Sequence, residues 1–202
     1  EIKLRQASII DSPEEYVKAI EAENDTNLTL VKGDLRNKTD INRALNGAES
    51  VIHLACISND PSSELNSEFT PSINYGGSIN VIDLSKASGV KRFIYASSSS
   101  VYGIKEEPNV TEELELQPLT QYSKLKVEIE HYLIHQIDEN FKGAIIRPST
   151  VCGYSPRQRL DVVVNILTNF AVNKGKIKVL GGSQLRPNIH IKDMVRAYEL
   201  LL

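Results

Sequence analysis

Apolar, β-branched segments alternate with helix-like segments along most of this 202-residue chain. Several of the apolar runs lack strict polar alternation, which is typical of strands buried on both faces of a parallel sheet. Turn residues and caps separate the helical patterns from the strands. The predicted strands are 28–34, 50–56, 91–98, 143–149 and 176–180, and the predicted helices are 13–23, Thr39 or Asp40 to Gly47, Asn74 to Ser88 and Tyr122 to about Asp138. This order predicts a doubly wound α/β domain with a parallel sheet.

Composition gives no overall signal for several classes of partner, and a local basic patch is the alternative for nucleic acid. The net charge of -3 gives no overall attraction to nucleic acid or anionic membranes, and no apolar run approaches the ~20 residues that span a bilayer. Cys56 and Cys152 lie far apart without metal-type spacing, so we predict free thiols in a reducing cytosol. His131 and His135 have metal-compatible spacing but no apparent third ligand. We therefore predict a cytoplasmic protein with no nucleic-acid, membrane or metal partner.

The segment Tyr122-Ser-Lys-Leu-Lys126 carries the strongest chemical signal. A spacing of four places both side chains on one helix face. A free tyrosine titrates near ~10, and a neighbouring ammonium lowers that pKa by favouring the phenolate. Such a pair can exchange the proton of a carbinol while a hydride moves to or from a nicotinamide. The alternative is an ordinary helix with an exposed lysine.

Polar residues gather where the predicted strands end. Four serines, Ser97 to Ser100, end the strand that precedes the Tyr122 helix, and a hydroxyl there could complete a Ser–Tyr–Lys triad. A serine-rich turn is the alternative. Asp34 and Leu35, Ala55 to Ser58, and Pro148 to Val151 end other strands. In doubly wound folds, ligands bind beyond the carboxyl ends of the strands, so these residues are expected at one site.

Four motifs in order carry a resemblance to a known family. They are YASSSSVYG (95–103), Tyr122-x-x-x-Lys126, RPSTVCG (147–153) and RPNIHIKDM (186–194). Together they strongly resemble the extended short-chain dehydrogenase/reductases, and more narrowly the NAD-dependent epimerase/dehydratase family that works on nucleoside-diphosphate sugars. The resemblance runs from about Leu28 to the last residue. It implies a Rossmann-like fold and NAD, rather than NADP, as the cofactor.

The resemblance also implies roles for individual residues. The implied catalytic group is Ser98, Tyr122 and Lys126, with Tyr122 as the acid/base. The implied cofactor contacts are Asp34, Leu35, Leu54, Ala55, Cys56, Asn74, Ser97, Tyr122, Lys126, Pro148 and Val151, although the family usually has alanine where Cys56 stands. The implied substrate contacts are Ser99, Ser100, Thr150 and Arg186. The guanidinium of Arg186 suits a diphosphate, and a surface charge beside Pro187 is the alternative.

The chain departs from the family pattern in three ways. Gly33 is its first glycine, so the GxxGxxG turn is absent. We therefore expect 1–202 to be an incomplete NAD-binding Rossmann-like domain of a longer protein. It would lack the first strand–turn–helix and the C-terminal substrate portion, with the start of the substrate-binding region at about 150–202. Thr150 stands where many sugar epimerases have asparagine. Ser99 and Ser100 stand where dehydratases have acidic residues, which disfavours elimination of water.

The sequence thus predicts an enzyme that epimerises a nucleoside-diphosphate sugar, or oxidises and reduces it, with NAD. Isomerase or oxidoreductase chemistry of this kind belongs to carbohydrate metabolism. Apolar side chains on the outer face of the Tyr/Lys helix, among them Val127, Tyr132 and Ile134, predict a homodimer through helices 74–88 and 122–138. Two alternatives stay open. One is a reductase of a non-sugar carbonyl substrate such as a steroid, and the other is a non-catalytic NAD(P)-sensing relative.

Overall fold

A computed structural model describes residues 5–8, 27–58, 68–155 and 159–202. The strands in these ranges are β1 (Arg5–Ser8), β2 (Thr29–Lys32), β3 (Ser50–His53), β4 (Arg92–Ala96), β5 (Lys142–Ile146), β6 (Thr150–Cys152) and β7 (Asn188–His190). The helices are α1 (Lys38–Leu45), α2 (Phe69–Pro71), α3 (Ser78–Ala87), α4 (Gln121–Gln136), α5 (Val163–Lys174) and α6 (Ile191–Leu201). A π-helical segment (Ser72–Gly77) joins α2 to α3, and a 3-10 helix (Ser99–Tyr102) follows β4.

The described strands pair in parallel, as predicted. They form a three-stranded sheet of order β3-β4-β5 and two two-stranded sheets, β1-β2 and β6-β7. In the central sheet His53 lies opposite Tyr95, which lies opposite Ile145. Because parallel strands present their carboxyl ends at one edge, the loops after β3, β4 and β5 meet there. The strand predicted at 28–34 pairs with β1, which the sequence patterns did not predict.

The prediction of a strand at 176–180 is wrong. No strand covers these residues, and the apolar side chains of Ile177, Val179 and Leu180 are exposed. Apolar, β-branched residues favour a strand only where a pleated neighbour and a buried face receive them, and this segment packs on neither. The helix predicted at 13–23 lies outside the described residues.

The main core lies between the central sheet and helices α1, α3 and α4. Its buried members are Leu35, Ile41, Leu45, Val81, Ile82, Val90, Phe93, Tyr95, Ile129, Leu133 and Phe141. Helix α4 contributes Ile129 and Leu133, whose spacing of four places them on one helix face. Ile137, the next residue at this spacing, is 39% exposed because α4 ends at Gln136 and the backbone of Ile137 is extended.

Local signals explain where the helices begin. The Asn37 side chain accepts a hydrogen bond from the Thr39 amide at 3.0 Å, so Asn37 caps α1 in place of the predicted Thr39 or Asp40.

Both cysteines are free thiols, as predicted. None of the helices in the described ranges has the length and hydropathy needed to cross a bilayer.

Candidate active site

A narrow cleft opens at the carboxyl edge of the central sheet, beside the start of α4. Its lining residues are Cys56, Asn74, Tyr95, Tyr122, Leu125, Lys126 and Ile129. The fold therefore brings Cys56, Asn74, Tyr122 and Lys126 together, although they lie up to 70 residues apart in the sequence. These four belong to the residues that the sequence analysis selected. The sequence patterns did not select Tyr95. It is the fourth residue of β4 and lies inside an apolar run, where no polar pattern marks it.

Tyr122 lies in the first turn of α4. Thr120 caps this helix: the Ser123 amide donates to Thr120 Oγ1 at 3.2 Å, and the Thr120 amide donates to Ser123 Oγ at 3.1 Å. This reciprocal capping box fixes the direction in which the helix starts. Tyr122 is the second helical residue, where the positive end of the helix dipole favours an anionic side chain. The helix start and the nearby lysine thus both place positive charge near Tyr122.

Lys126 is held at the floor of the cleft. Its side chain is 4% exposed, and Nζ donates to the carbonyl oxygen of Ala96 at 2.6 Å. Nζ lies 5.6 Å from the centre of the Tyr122 ring and 4.8 Å from that of Tyr95. Burial lowers the pKa of Lys126, while Cys56 and Glu130 act in the opposite direction. The Ala96 contact, at the last residue of β4, fixes the ammonium beside Tyr122.

The Ser98 hydroxyl has a defined donor direction. Its Oγ accepts from the Ser100 amide at 3.2 Å and from the Ser100 hydroxyl at 2.9 Å. A serine hydroxyl has two lone pairs and one proton. Because both lone pairs are engaged, the Ser98 proton is the part that can be donated to a ligand oxygen. Ser98 is half-buried at the start of the 3-10 helix.

Behind Ser98 lies a buried ionic network that the sequence analysis did not identify. Glu130 is 1% exposed; its carboxylate accepts from the Ser97 hydroxyl and from Arg147, with Nη2 to Oε2 at 2.7 Å. Arg147 Nη1 also donates to the Tyr102 hydroxyl at 2.8 Å. The hydrogen bond to Glu130 is the main cause that raises the pKa of Arg147. The available signal was the spacing, since Glu130 follows Lys126 by four residues on the inward face of α4.

Asn74 organises the loop after β3. Its side-chain oxygen accepts from the Ile57 amide at 2.7 Å, and its side-chain nitrogen donates to the Ile57 carbonyl at 3.1 Å. This clamp holds the loop that carries the predicted cofactor residues Leu54, Ala55 and Cys56. Leu54 is 53% exposed, so an apolar surface is available there. Asn74, predicted as a cofactor contact, thus has its side-chain amide engaged with the Ile57 backbone.

His53 lies directly beneath that loop and is buried. Its Nε2 lies 2.8 Å from Ser78 Oγ, and the Ser78 hydroxyl donates to the Asn74 carbonyl at 2.5 Å. Because the single Ser78 proton is used, the proton in the first contact must belong to Nε2. Burial, together with the charge of Lys126, lowers the pKa of His53 to about 3. The ring is therefore neutral at physiological pH.

Asp34 and Leu35 follow β2, away from the Tyr/Lys cleft. The Asp34 carboxylate accepts from the Arg36 amide at 2.8 Å and from the Arg36 guanidinium, which lowers the pKa of Asp34. The Leu35 side chain is buried in the core, and its carbonyl accepts from Asn80 at 3.3 Å. An adenine ring placed here would therefore meet a paired carboxylate and backbone rather than an exposed leucine.

Thr150 and Arg186, two of the four predicted substrate residues, lie on the β6–β7 side, whereas Ser99 and Ser100 lie in the 3-10 helix after β4. Thr150 and Val151 are half-buried in β6, and Thr150 lies opposite Asn188 of β7. Arg186 is exposed two residues before β7, and its carbonyl accepts from Asn188 at 2.9 Å. The pairing of β6 with β7 thus brings Arg186 near the strand of Thr150. In the described part of the chain, no three His, Cys, Asp or Glu side chains cluster as metal ligands would.

The amino-acid sequence of this chain is similar to those of known proteins. The profile of the NAD dependent epimerase/dehydratase family matches residues 8–202. The chain is 32% identical over 201 residues to 3beta-hydroxysteroid-dehydrogenase/decarboxylase isoform 1 of Arabidopsis thaliana, covering 96% of this chain and 44% of that protein.

Two solved structures share the fold. UDP-glucuronic acid 4-epimerase from Bacillus cereus, in complex with UDP-glucuronic acid and NAD, has a TM-score of 0.78 and 27% identity, over 92% of this chain and 59% of that one. UDP-N-acetylglucosamine 4-epimerase from Methanobrevibacter ruminantium M1 has a TM-score of 0.78 and 26% identity, over 88% and 58%. The chain therefore spans about half the length of the relatives that it matches.

Proposed function

The chain belongs to the NAD dependent epimerase/dehydratase family, and from that premise we propose that it carries the catalytic half of an enzyme that epimerises a nucleoside-diphosphate sugar, or oxidises and reduces it. The observation that carries the proposal is the Tyr122–Lys126 pair, with the ammonium 5.6 Å from the phenol ring centre. The pair lines a cleft at the carboxyl ends of the strands, where doubly wound folds bind ligands.

The residues around this cleft fit NAD. An ammonium has three N–H donors, and the Ala96 carbonyl takes one of those on Lys126, so others suit the hydroxyls of a ribose. The buried Tyr95 hydroxyl lines the same cleft and has no hydrogen-bond partner among the described residues, as expected where a polar ligand binds. The residues that would hold the cofactor are Leu54, Ala55, Cys56, Ser97, Lys126, Pro148 and Val151. NAD, when bound, would accept a hydride and return it.

The side chains of this chain would handle the proton. Tyr122, favoured as phenolate by Lys126 and by its place in the first helical turn, would take the proton of a substrate carbinol. Ser98 would donate a hydrogen bond to the same oxygen and keep its proton. Lys126, in its ammonium form, would orient both the phenolate and a ribose hydroxyl. Ser99 and Ser100 supply no acid for elimination of water, which favours epimerisation or oxidoreduction over dehydration.

A second candidate substrate is a 3-hydroxysterol. The 32% identity to the Arabidopsis steroid dehydrogenase/decarboxylase favours it, and the Tyr–Lys chemistry at a secondary alcohol would be the same. Arg186 distinguishes the two candidates, because a guanidinium fits a diphosphate and has no partner on a sterol ring system. Arg186→Gln should therefore raise KM for a nucleotide sugar and leave sterol oxidation unchanged.

Steady-state kinetics of Tyr122→Phe tests the proposal. The full-length protein is assayed with UDP-, GDP-, dTDP- and CDP-sugars and with a 3β-hydroxysterol, alongside NAD titration. Loss of the phenol oxygen should lower turnover by roughly 10²–10⁴ while NAD affinity changes little. Tyr132→Phe is the matched control, because Tyr132 lies on the same helix but donates to Asp83 on the surface, at 2.6 Å. Near-parental turnover in Tyr122→Phe would contradict the mechanism.

Assembly and location complete the proposal. Ile134 is 52% exposed on α4, and Val127 and Tyr132 beside it are half-buried. Apolar groups on this face favour a homodimer through α3 and α4. The two free thiols favour a reducing, cytoplasmic setting.

A further inference from the structure

We propose that Glu130 is a positioning residue of this site. With Arg147 as its counter-ion, it fixes the segment that carries Ser98 against the helix that carries Tyr122 and Lys126. The inference rests on the proposed function, because that function gives Ser98 its role. It adds a residue pair that acts on the reaction only through its neighbours.

Glu130 is too far from Tyr122 to touch the same substrate oxygen. The two residues are eight apart on α4, which corresponds to about 12 Å along the helix axis. All of the described contacts of the Glu130 carboxylate are with protein donors: the Ser97 hydroxyl, Arg147 Nε at 3.1 Å and Arg147 Nη2 at 2.7 Å. The described lining residues of the cleft do not include Glu130. Its influence must pass through the groups that it holds.

The groups held by Glu130 and Arg147 flank Ser98 in the sequence, one before it and one after it. Ser97, which precedes it, donates its hydroxyl proton to Glu130. Tyr102, which ends the 3-10 helix begun after Ser98, accepts from Arg147 Nη1 at 2.8 Å, and its ring centre lies 5.1 Å from the guanidinium carbon. The ion pair therefore holds both ends of the segment 97–102.

The backbone around Arg147 reinforces the same segment. The Ser97 amide donates to the Ile146 carbonyl at 2.8 Å, and the Ser99 amide donates to the Pro148 carbonyl at 2.9 Å. Arg147 lies between these two acceptors. Displacing the guanidinium would thus disturb the two backbone bonds that flank Ser98. Because Glu130 is 1% exposed, an arrangement that left its carboxylate without Arg147 would be strongly unfavourable.

A merely structural role would stabilise the whole domain without affecting the Ser98 segment in particular. The test is hydrogen exchange of the backbone amides of 96–102 in Glu130→Gln, with the amides of α3 (Ser78–Ala87) as an internal reference. Glu128→Gln is the matched control, because Glu128 is an exposed carboxylate on the same helix. Ser97→Ala is the milder variant that removes one contact and keeps the ion pair. If Glu130→Gln does not fold, the same measurements on Ser97→Ala test the proposal.

We expect amides in 96–102 to exchange at least about tenfold faster in Glu130→Gln, with α3 unchanged. We also expect kcat to fall on the order of 10²-fold with KM little altered, because Ser98 misplaced by about 1 Å no longer supports the reacting oxygen. Ser97→Ala should show the same pattern to a smaller degree. Equal acceleration in both segments, no acceleration, or faster exchange with unchanged kcat would each overturn the proposal. If the parent protein turns over no candidate substrate, the proposed function fails instead, and hydrogen exchange still decides whether Glu130 positions the segment.

Discussion

The buried His53, the last residue of β3, predicts a specific loss of stability in mild acid. His53 contacts Ser78 and stacks on Tyr95, with ring centres 5.8 Å apart. Burial first, and the charge of Lys126 second, lower its pKa from 6.5 to about 3. Below pH 6.5 the unfolded chain therefore takes up a proton at this residue that the folded chain does not. The contribution of neutral His53 is complete above pH 6.5 and is lost as the pH falls from there toward 3.

The size of the effect follows from linkage. Each pH unit below 6.5 lowers the free energy of unfolding by about 1.4 kcal/mol while the folded ring stays neutral. Between pH 7 and pH 5, His53 alone should therefore remove about 2 kcal/mol. That is a large share of the ~5–15 kcal/mol by which domains are stable.

Urea unfolding of the parent and of His53→Gln at pH 7 and pH 5 measures this contribution. Glutamine retains a side-chain N–H that can donate to Ser78 but does not titrate. The parent should lose about 2 kcal/mol more than His53→Gln over this range. His131→Gln is the matched control, since His131 is exposed on α4, and its pH dependence should follow the parent.

A direct measurement accompanies the unfolding data. In the folded protein at pH 5, the NMR resonances of the His53 ring should stay at their neutral positions, with the proton on Nε2. The reasoning is refuted if the parent and His53→Gln lose the same free energy between pH 7 and pH 5, or if the His53 ring titrates in the folded state near pH 6.

Three further outcomes follow from packing. Ile82→Ala removes a fully buried side chain and should cost about 2–5 kcal/mol in urea unfolding. Gly103→Ala should cost about 2 kcal/mol in the same assay, because Gly103 has a φ of +71° and a Cβ there would lie 2.2 Å from the Gln117 carbonyl oxygen; an unchanged midpoint would contradict this. Ile134→Lys should convert the proposed homodimer to monomer in sedimentation while leaving the urea midpoint of the monomer unchanged, whereas a parent that sediments as a monomer would count against the dimer.

The central fold was predictable because its signals are local. The apolar run 91–98 contains β4, and the Tyr122 helix begins one residue before its predicted start. The segment 176–180 shows the limit of such signals. It has strand-like composition, but only tertiary packing decides whether an apolar run finds a partner strand. Short strands such as β1 and β6 have too few residues to show a pattern.

The site was predictable where residue type and spacing coincide, as for Tyr122 and Lys126. The Glu130–Arg147 pair was not identified, because the two residues lie 17 positions apart and meet only when α4 packs against the end of β5. Likewise, which ring nitrogen of His53 carries the proton depends on which acceptor the Ser78 hydroxyl donates to. Contacts of this kind follow from the register of packed elements, which periodicity alone does not specify.

The π-helical segment before α3 constrains how this chain can change length during evolution. A π turn contains one residue more than an α turn, and here that turn holds Asn74. Deleting Tyr75, Gly76 or Gly77 would restore a regular α-helix but rotate Asn74 and the residues before it by about 100° relative to α3. Asn74 would then point away from Ile57, and the loop after β3 would lose both of its clamping hydrogen bonds. Lineages should therefore accept insertions and deletions in exposed loops far more readily than in this helix.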